Sequence, residues 1–160
     1  MTVSVGDRIP SVNLMKATPD GPQPISSDDY FRGRRIALFS VPGAFTPTCS
    51  ARHLPGFVER ADEFKGKGVD EIACTAVNDA FVLSAWSKSG EADGKVTMLA
   101  DGNGEFAKAL GLEMDGSKFG MGQRGKRYSM VVNDGVVEQL NIEEPGAFSV
   151  SGADYMLERL

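Results

Sequence analysis

Short apolar runs alternate with helix-like apolar repeats along the sequence. The length and residue types of these runs predict buried strands. They cover 35–41, 72–77, 95–100, 128–132 and 136–140, and residues 133–135, Asn-Asp-Gly, predict a hairpin turn between the last two. Helical spacing of apolar residues predicts three helices. The first carries Phe57, Val58, Ala61 and Phe64. The second starts at 78–79 and buries Phe81, Val82, Ala85 and Trp86, and the third covers 105–110.

The two ends of the chain and a glycine-rich stretch carry weaker signals. Residues 1–24 predict an N-terminal extension with a short strand at 12–15 and a turn marked by Gly21, Pro22 and Pro24. Residues 26–29 predict the cap of a short helix that Gly33 ends. Four glycines within 115–125 predict a flexible loop, and Ser151 predicts the cap of a final helix.

The order of the predicted elements is strand, helix, strand, helix, strand, helix, hairpin and helix. This order predicts an α/β sandwich around a mixed central sheet. A length of 160 residues suits one domain, 1–160, with a single core. No internal repeat or low-complexity segment divides it.

The charge balance narrows the class of partner. With 22 acidic and 17 basic residues the net charge is -5, which argues against nonspecific binding to nucleic acid or to an anionic membrane. No apolar run approaches the roughly 20 residues that a membrane-spanning helix needs. The composition therefore indicates a soluble protein, and it suits an enzyme with small substrates.

The two cysteines, Cys49 and Cys74, are too few and too far apart for a disulfide framework or a C-x-x-C pair. Free thiols fit a reducing compartment. Residues 1–10 show neither a basic leader nor an apolar signal region. We therefore expect a cytoplasmic protein.

Cys49 occupies a position that favours a reactive thiolate. It follows the predicted strand 35–41, and Thr48 is a candidate N-cap that would place Cys49 in the first turn of a helix. Unpaired backbone N–H groups and the positive end of the helix dipole stabilise a thiolate there. Pro55 predicts a break after that first turn, with a second helical piece that starts at the proline. Cys74, in contrast, lies within a predicted strand and is expected to be buried and inert.

The segment around Cys49 resembles the active-site motif of the peroxiredoxins. The motif is Pro42-x-x-x-Thr46-x-x-Cys49, and the longer string 42–57 resembles the type II or Prx5-like subfamily. Segments 76–81, 99–102 and 126–132 agree with it. The resemblance implies a thioredoxin-like fold with an N-terminal extension, an antioxidant peroxidase of cell redox homeostasis, a homodimer, and neither cofactor nor metal.

Peroxide reduction requires a nucleophile and donors for the oxygen that leaves. Cys49 is the predicted nucleophile, and the Thr46 hydroxyl is predicted to meet the peroxide as both donor and acceptor. Pro42 would shield the sulfur without adding a competing N–H. The backbone N–H groups of Gly43 and Cys49 would complete the oxygen-binding set.

A fixed cation is expected to stabilise both the thiolate and the leaving oxygen. Arg127 opens the apolar strand 127–132 and so lies at a sheet end, from which its guanidinium could reach Cys49. Arg124 and Lys126 are nearby rivals, and the residues alone do not choose among the three. The resemblance assigns this role, and part of the substrate site, to Arg127.

His53 admits three interpretations. As a base for Cys49 it would indicate a Cys/His hydrolase, but a partner on the same helical turn leaves little room for an acyl group. With Cys49 it forms at most half of a metal site. We therefore expect His53 to support the site without touching substrate. A Gly102-x-Gly104-x-x-Ala107 string superficially matches a dinucleotide fingerprint, but Asp101 would place a carboxylate beside the pyrophosphate.

Oxidation by hydrogen peroxide or an organic hydroperoxide would leave a sulfenic acid on Cys49, which a second thiol must resolve. Two-cysteine relatives carry that thiol near the C-terminus, whereas 146–151 holds serines here. We therefore expect a one-cysteine cycle with glutathione, glutaredoxin or thioredoxin as reductant. The alternatives are a thiol redox sensor that passes oxidation to a partner protein, and a thioredoxin-like binding module without catalysis.

Overall fold

The five predicted apolar runs form five adjacent strands of a seven-stranded mixed sheet in the computed structural model, which describes residues 1–160. The strands are β1 (Asn13–Thr18), β2 (Gly21–Ser26), β3 (Arg35–Ser40), β4 (Glu71–Ala76), β5 (Thr97–Ala100), β6 (Glu113–Asp115), β7 (Gln123–Gly125), β8 (Tyr128–Asn133) and β9 (Val136–Ile142). The sheet order is β2-β1-β5-β4-β3-β8-β9, and β6 pairs with β7 in a separate two-stranded sheet. The expected mixed central sheet is confirmed.

Helices cover both faces of the sheet and bury one apolar cluster on each. They are α1 (Ser27–Phe31), α2 (Leu54–Glu59), α3 (Ala61–Gly66), α4 (Ala80–Ser89), α5 (Glu105–Leu110) and α6 (Ala153–Leu157). Alternate residues of β3 point to opposite faces. Phe39 packs into the cluster formed with α2, α3, α4 and α6, whereas Leu38 packs into the cluster formed with α1 and α5. No helix combines the length and apolar character that a membrane span requires.

The strand register brings three chain segments to one end of the sheet. β3 and β8 are antiparallel, with Ser40 opposite Tyr128, and β8 and β9 are antiparallel, with Tyr128 opposite Ile142. The residues that follow β3, precede β8 and follow β9 therefore meet at the carboxyl end of β3. The parallel partner β4 ends at the same edge, with Thr75 opposite Ser40.

Residues 21–26 form a strand, so the turn predicted at Gly21, Pro22 and Pro24 is wrong. These residues form β2, which pairs with β1 in an antiparallel hairpin. β2 lies at the edge of the sheet. An edge strand needs ladder hydrogen bonds on one side only, and therefore tolerates prolines, which lack the N–H group.

The helix predicted after Asn78 is present, but most of its predicted buried face is wrong. Asp79 caps α4 by accepting a hydrogen bond from the Val82 N–H. Trp86 is buried as expected, together with Ala80 and Leu83, whereas Phe81 is 72% exposed. The helix is rotated about its axis, so that Leu83 rather than Phe81 packs on the sheet.

The flexible loop expected at 115–125 instead has regular structure. It contains the end of β6, a short 3₁₀ turn (Ser117–Phe119) and β7, and Gly116 N–H donates to the Gly122 carbonyl. Ser151 does not cap the final helix, because its hydroxyl donates to Glu143 and Gly152 occupies the cap position of α6.

Candidate active site

Cys49 lies in the first turn of a helix, as expected, but Thr48 does not cap it. Thr48 has helical backbone angles and makes no capping hydrogen bond with its side chain. The helix begins at Pro47, a favourable residue for a first helical position. Thr46 precedes it, and its carbonyl accepts the first-turn hydrogen bond from the Ser50 N–H at 3.0 Å.

The helix is not interrupted at Pro55, so the predicted break is wrong, but a second helical piece does start there, since α2 begins at Leu54 with Pro55 in its first turn. Residues Cys49–His53 form a π-helical turn, and Leu54 N–H donates to the carbonyl of Cys49, five residues back. This widened turn continues directly into α2. Pro55 lies near the N-terminus of α2, a position that tolerates a residue without a backbone N–H. Phe57 of α2 stacks on Phe39 of β3 at 4.2 Å between ring centroids, which anchors the helix on the sheet.

Arg127 contacts the sulfur of Cys49. Its Nη2 donates to Cys49 Sγ at 3.0 Å, although the two residues are 78 positions apart in sequence. The Arg124 guanidinium is held elsewhere, by the carbonyls of Met121 and Val77. The side chain of Lys126 is exposed. Of the three cations left open by the residues alone, the structure brings Arg127 to the thiol.

Backbone pairing accounts for this contact. Tyr128 lies opposite the last residue of β3, so Arg127 stands beside the chain as it leaves that strand toward Cys49. Ser40 adds a hydrogen bond from its hydroxyl to the Lys126 carbonyl at 2.8 Å. The sheet therefore fixes the base of the arginine side chain.

His53 lies behind Arg127 and is fully buried. Its Nδ1 accepts a hydrogen bond from Arg127 Nη1 at 2.8 Å, and its Nε2 donates to the Ser151 carbonyl at 2.9 Å. Burial, followed by the charge of Arg127, lowers the pKa of His53 to about 3, so the ring is neutral at physiological pH. Both ring nitrogens are engaged away from the sulfur, unlike the arrangement of a Cys/His hydrolase.

The loop before Cys49 contains the predicted oxygen-binding groups. The Thr46 hydroxyl donates to the Gly43 carbonyl at 2.6 Å, which leaves the lone pairs of its oxygen as acceptors. The backbone N–H groups of Gly43 and Cys49 have no partner in the chain. A Cβ at Gly43 would lie 3.2 Å from the Thr46 and Met121 side chains, so the turn is tightly packed. Pro42, in the bend after β3, is partly buried.

Glu143, which sequence reasoning missed, organises the opposite side of the site. Its Oε2 accepts hydrogen bonds from the N–H groups of Ser149, Val150 and Ser151, and from the Ser151 hydroxyl at 2.7 Å. Burial raises the pKa of Glu143, but these hydrogen bonds outweigh it and keep the pKa below its usual value. The only signal in the sequence was a glutamate just after a strand, which is too common to identify such a site.

Cys74 is buried in β4, as expected. Burial raises the pKa of its thiol well above the usual value, an effect that the more distant charge of Arg127 only partly opposes.

At the dinucleotide-like string 102–107, the Asp101 carboxylate accepts hydrogen bonds from the N–H groups of Phe106 and Ala107. The chain's own carboxylate therefore occupies the start of α5, where a pyrophosphate would have to bind.

Comparison with known proteins covers nearly the whole chain. The family model described as Redoxin matches residues 4–157. Peroxiredoxin-2E-2, chloroplastic, of Oryza sativa subsp. japonica is 51% identical over 164 residues, which cover 99% of this chain and 73% of the rice protein. The crystal structure of reduced Prx3 of Vibrio vulnificus in complex with H2O2 has a TM-score of 0.95 and 46% identity, and covers 99% of each chain. The antioxidant protein (1-Cys peroxiredoxin) of Plasmodium falciparum has a TM-score of 0.91 and 30% identity, and covers 98% of each chain.

Proposed function

Since the chain belongs to the redoxin family and is a peroxiredoxin with the expected thioredoxin-like fold, we propose that it reduces hydrogen peroxide and small alkyl hydroperoxides through Cys49 in a one-cysteine cycle. Similarity to type II relatives supports thiol peroxidase activity.

The observation that carries the proposal is the 3.0 Å hydrogen bond from Arg127 Nη2 to Cys49 Sγ. A guanidinium keeps its charge at any working pH and stabilises a thiolate beside it. The thiolate would attack one peroxide oxygen, an S–O bond would form as the O–O bond breaks, and the other oxygen would leave with the electron pair and take up a proton. Arg127 and the free N–H groups of Gly43 and Cys49 would stabilise the charge on the departing oxygen.

The surroundings of the sulfur favour a small peroxide. Cys49 is 0% exposed, so a bulky hydroperoxide would require movement of the loop that precedes it. The Thr46 oxygen can accept a hydrogen bond from the peroxide O–H. Hydrogen peroxide is bound in the similar Vibrio vulnificus structure, which supports it as a substrate here.

A one-cysteine cycle fits the positions of the remaining groups. The sulfenic acid on Cys49 would condense with glutathione to give a mixed disulfide and water, and a second thiol, from glutaredoxin or thioredoxin, would then release Cys49. Cys74 lies buried within β4, and residues 146–151 contain no thiol. The similar Plasmodium falciparum protein is described as a 1-Cys peroxiredoxin, which supports the same cycle here.

Exposed aromatic residues support the proposal of a homodimer. Phe45 is 54% exposed and follows Ala44, whose N–H donates to the Asn78 side chain at 2.9 Å. Phe81 lies in the first turn of α4, shortly after Asn78, and is 72% exposed, so both aromatic rings project from neighbouring segments. A Phe81→Ser variant should shift the sedimentation of a dimer toward the monomer.

We also propose a cytoplasmic location, which the two free cysteines support because free thiols fit a reducing compartment.

Paired cysteine variants test the function. Cys49→Ser should abolish peroxide turnover with glutathione and glutaredoxin, or with thioredoxin, whereas Cys74→Ser should keep most of it. Intact mass after one equivalent of peroxide and glutathione should show one glutathione on Cys49. A Cys49–Cys74 disulfide would contradict the one-cysteine cycle. Stoichiometric oxidation without turnover under any of these reductants would instead favour the redox sensor.

A further inference from the structure

Glu143 is joined to the active site along two routes. Its backbone N–H donates to the Arg127 carbonyl at 3.0 Å, which extends the pairing of β8 and β9 by one hydrogen bond. Its carboxylate holds the segment 149–151, whose last residue contacts His53. Both routes end at Arg127, the residue that contacts the sulfur.

The carboxylate of Glu143 is a strong anchor for that segment. Three consecutive N–H groups, from Ser149, Val150 and Ser151, donate to a single oxygen at 2.8 to 2.9 Å. Glu143 is 7% exposed and Ser151 is fully buried, so water competes little for the bonds between these two residues. Hydrogen bonds to an ionised acceptor in such surroundings are roughly twice as strong as neutral ones.

The anchored segment determines the tautomer of His53. The Ser151 carbonyl can only accept a hydrogen bond, so it requires the proton of the imidazole on Nε2. Nδ1 is then left with a lone pair, which accepts from Arg127 Nη1 at 2.8 Å. The other tautomer would point an N–H at the guanidinium and would push Arg127 away.

Arg127 is thereby held at two points. One terminal nitrogen donates to His53 and the other donates to Cys49 Sγ at 3.0 Å. The anchored segment also carries Phe148, whose ring lies 5.0 Å from that of His53. Loss of the Glu143 anchor would therefore loosen the histidine and the arginine together.

We propose that Glu143 is a positioning residue for the peroxidase reaction, because its carboxylate fixes the 149–151 segment, which in turn sets the His53 tautomer and holds Arg127 against Cys49. This inference rests on the proposed function for its kinetic consequence. Its structural consequence, the position of the proton on His53, can be measured without any turnover.

The test uses Glu143→Gln, which keeps the size of the side chain but removes the negative charge of the carboxylate whose Oε2 accepts hydrogen bonds from three N–H groups. The rate constant for oxidation by hydrogen peroxide should fall on the order of tenfold. His53 is the only histidine, so nitrogen NMR of histidine-labelled protein reports its tautomer without overlap. The wild type should show the Nε2–H form, and Glu143→Gln should show a mixture.

Two further variants control for misfolding. Glu144→Gln changes the neighbouring exposed glutamate and should leave both readouts unchanged. Ser151→Ala removes one of the hydrogen bonds to Glu143 but keeps the carbonyl, so it should change both readouts in the same direction by a smaller amount.

If Glu143→Gln folds and keeps both the wild-type tautomer of His53 and the wild-type rate constant, the inference is overturned. If Glu143→Gln does not fold, a wild-type tautomer and rate constant in Ser151→Ala overturn it instead. A wild-type protein that reduces no peroxide would overturn the proposed function instead. The imidazole signal of the variants would then decide the positioning of His53 alone.

Discussion

Cys49 and Cys74 are both 0% exposed and belong to the same apolar cluster, yet their polar surroundings differ. Cys74 lies within a strand, where burial raises the pKa of its thiol. Cys49 lies at a helix start, where Arg127 donates to its sulfur at 3.0 Å and its own N–H is free. Depth within the protein therefore does not distinguish the two thiols. The two thiols are distinguished by a few polar groups that distant parts of the chain supply.

The largest expected effect comes from removing the positive charge of Arg127, whose hydrogen bond to Cys49 has no counterpart at Cys74. Arg127→Met should lower the rate constant of Cys49 oxidation by about 100-fold, the usual effect of losing one donor that stabilises developing charge. Stopped-flow fluorescence can follow the reaction, because Trp86 is the only tryptophan and its Nε1 donates to Ser50, the neighbour of Cys49. Lys126→Met is the matched control and should react like the wild type. An unimpaired Arg127→Met would show that burial and helix position suffice.

Thr46 should have the next largest effect on rate. Thr46→Val keeps the shape of the side chain but removes the oxygen that can accept from peroxide and the bond to the Gly43 carbonyl. The rate constant with hydrogen peroxide should fall about tenfold. Thr46→Ser restores the hydroxyl and should recover most of the rate, so equal losses in both variants would argue against a role for the hydroxyl.

The buried imidazole behind Cys49 should make stability depend on pH. His53 has a pKa of about 3 in the folded protein and 6.5 as a free side chain, so the unfolded chain alone takes up the proton between those values. The free energy of unfolding should therefore fall as pH decreases below about 6.5, by up to about 1.4 kcal/mol per pH unit. Urea titrations from pH 7 to pH 5 should show this loss in the wild type and a smaller one in His53→Gln. Equal slopes would exclude His53 as the cause.

Cys74 should show the smallest effect, and in stability rather than rate. Cys74→Ala removes a buried sulfur from β4 and should lower the free energy of unfolding by about 1 to 2 kcal/mol. The rate of Cys49 oxidation should not change. A slower reaction in a stably folded variant would mean that Cys74 takes part in the chemistry.

The sequence predicted what depends on local residue patterns. The apolar runs located the central strands, and the chain after β3 identified Cys49 as a first-turn thiol. The choice of Arg127 over Arg124 and Lys126 required the resemblance to a family, because the direction of each side chain depends on the register of β8 against β3. That register is a long-range property that no local pattern encodes.

The errors have related causes. Pro22 and Pro24 exclude a central strand but not an edge strand, and only the neighbours of β2 show which it is. The predicted buried position of Phe81 is wrong because apolar spacing does not show which side of a helix meets the sheet. No sequence pattern identifies Glu143, because its partners lie in a segment without regular structure. Each of these features depends on how one element meets another, which local patterns do not encode.

The π-helical turn at Cys49–His53 has a consequence for changes in chain length. Each residue in an α-helix advances by about 100° around the axis, and the widened turn accommodates one extra residue between the thiol and α2. Deleting a residue within 50–52 would let this turn close into an ordinary α-helical turn, and Cys49 would keep nearly the same angular position relative to Phe57. The same deletion inside α2 would rotate the residues on either side by about 100° relative to each other. The π turn is therefore the place in this helix where the chain tolerates a change in length.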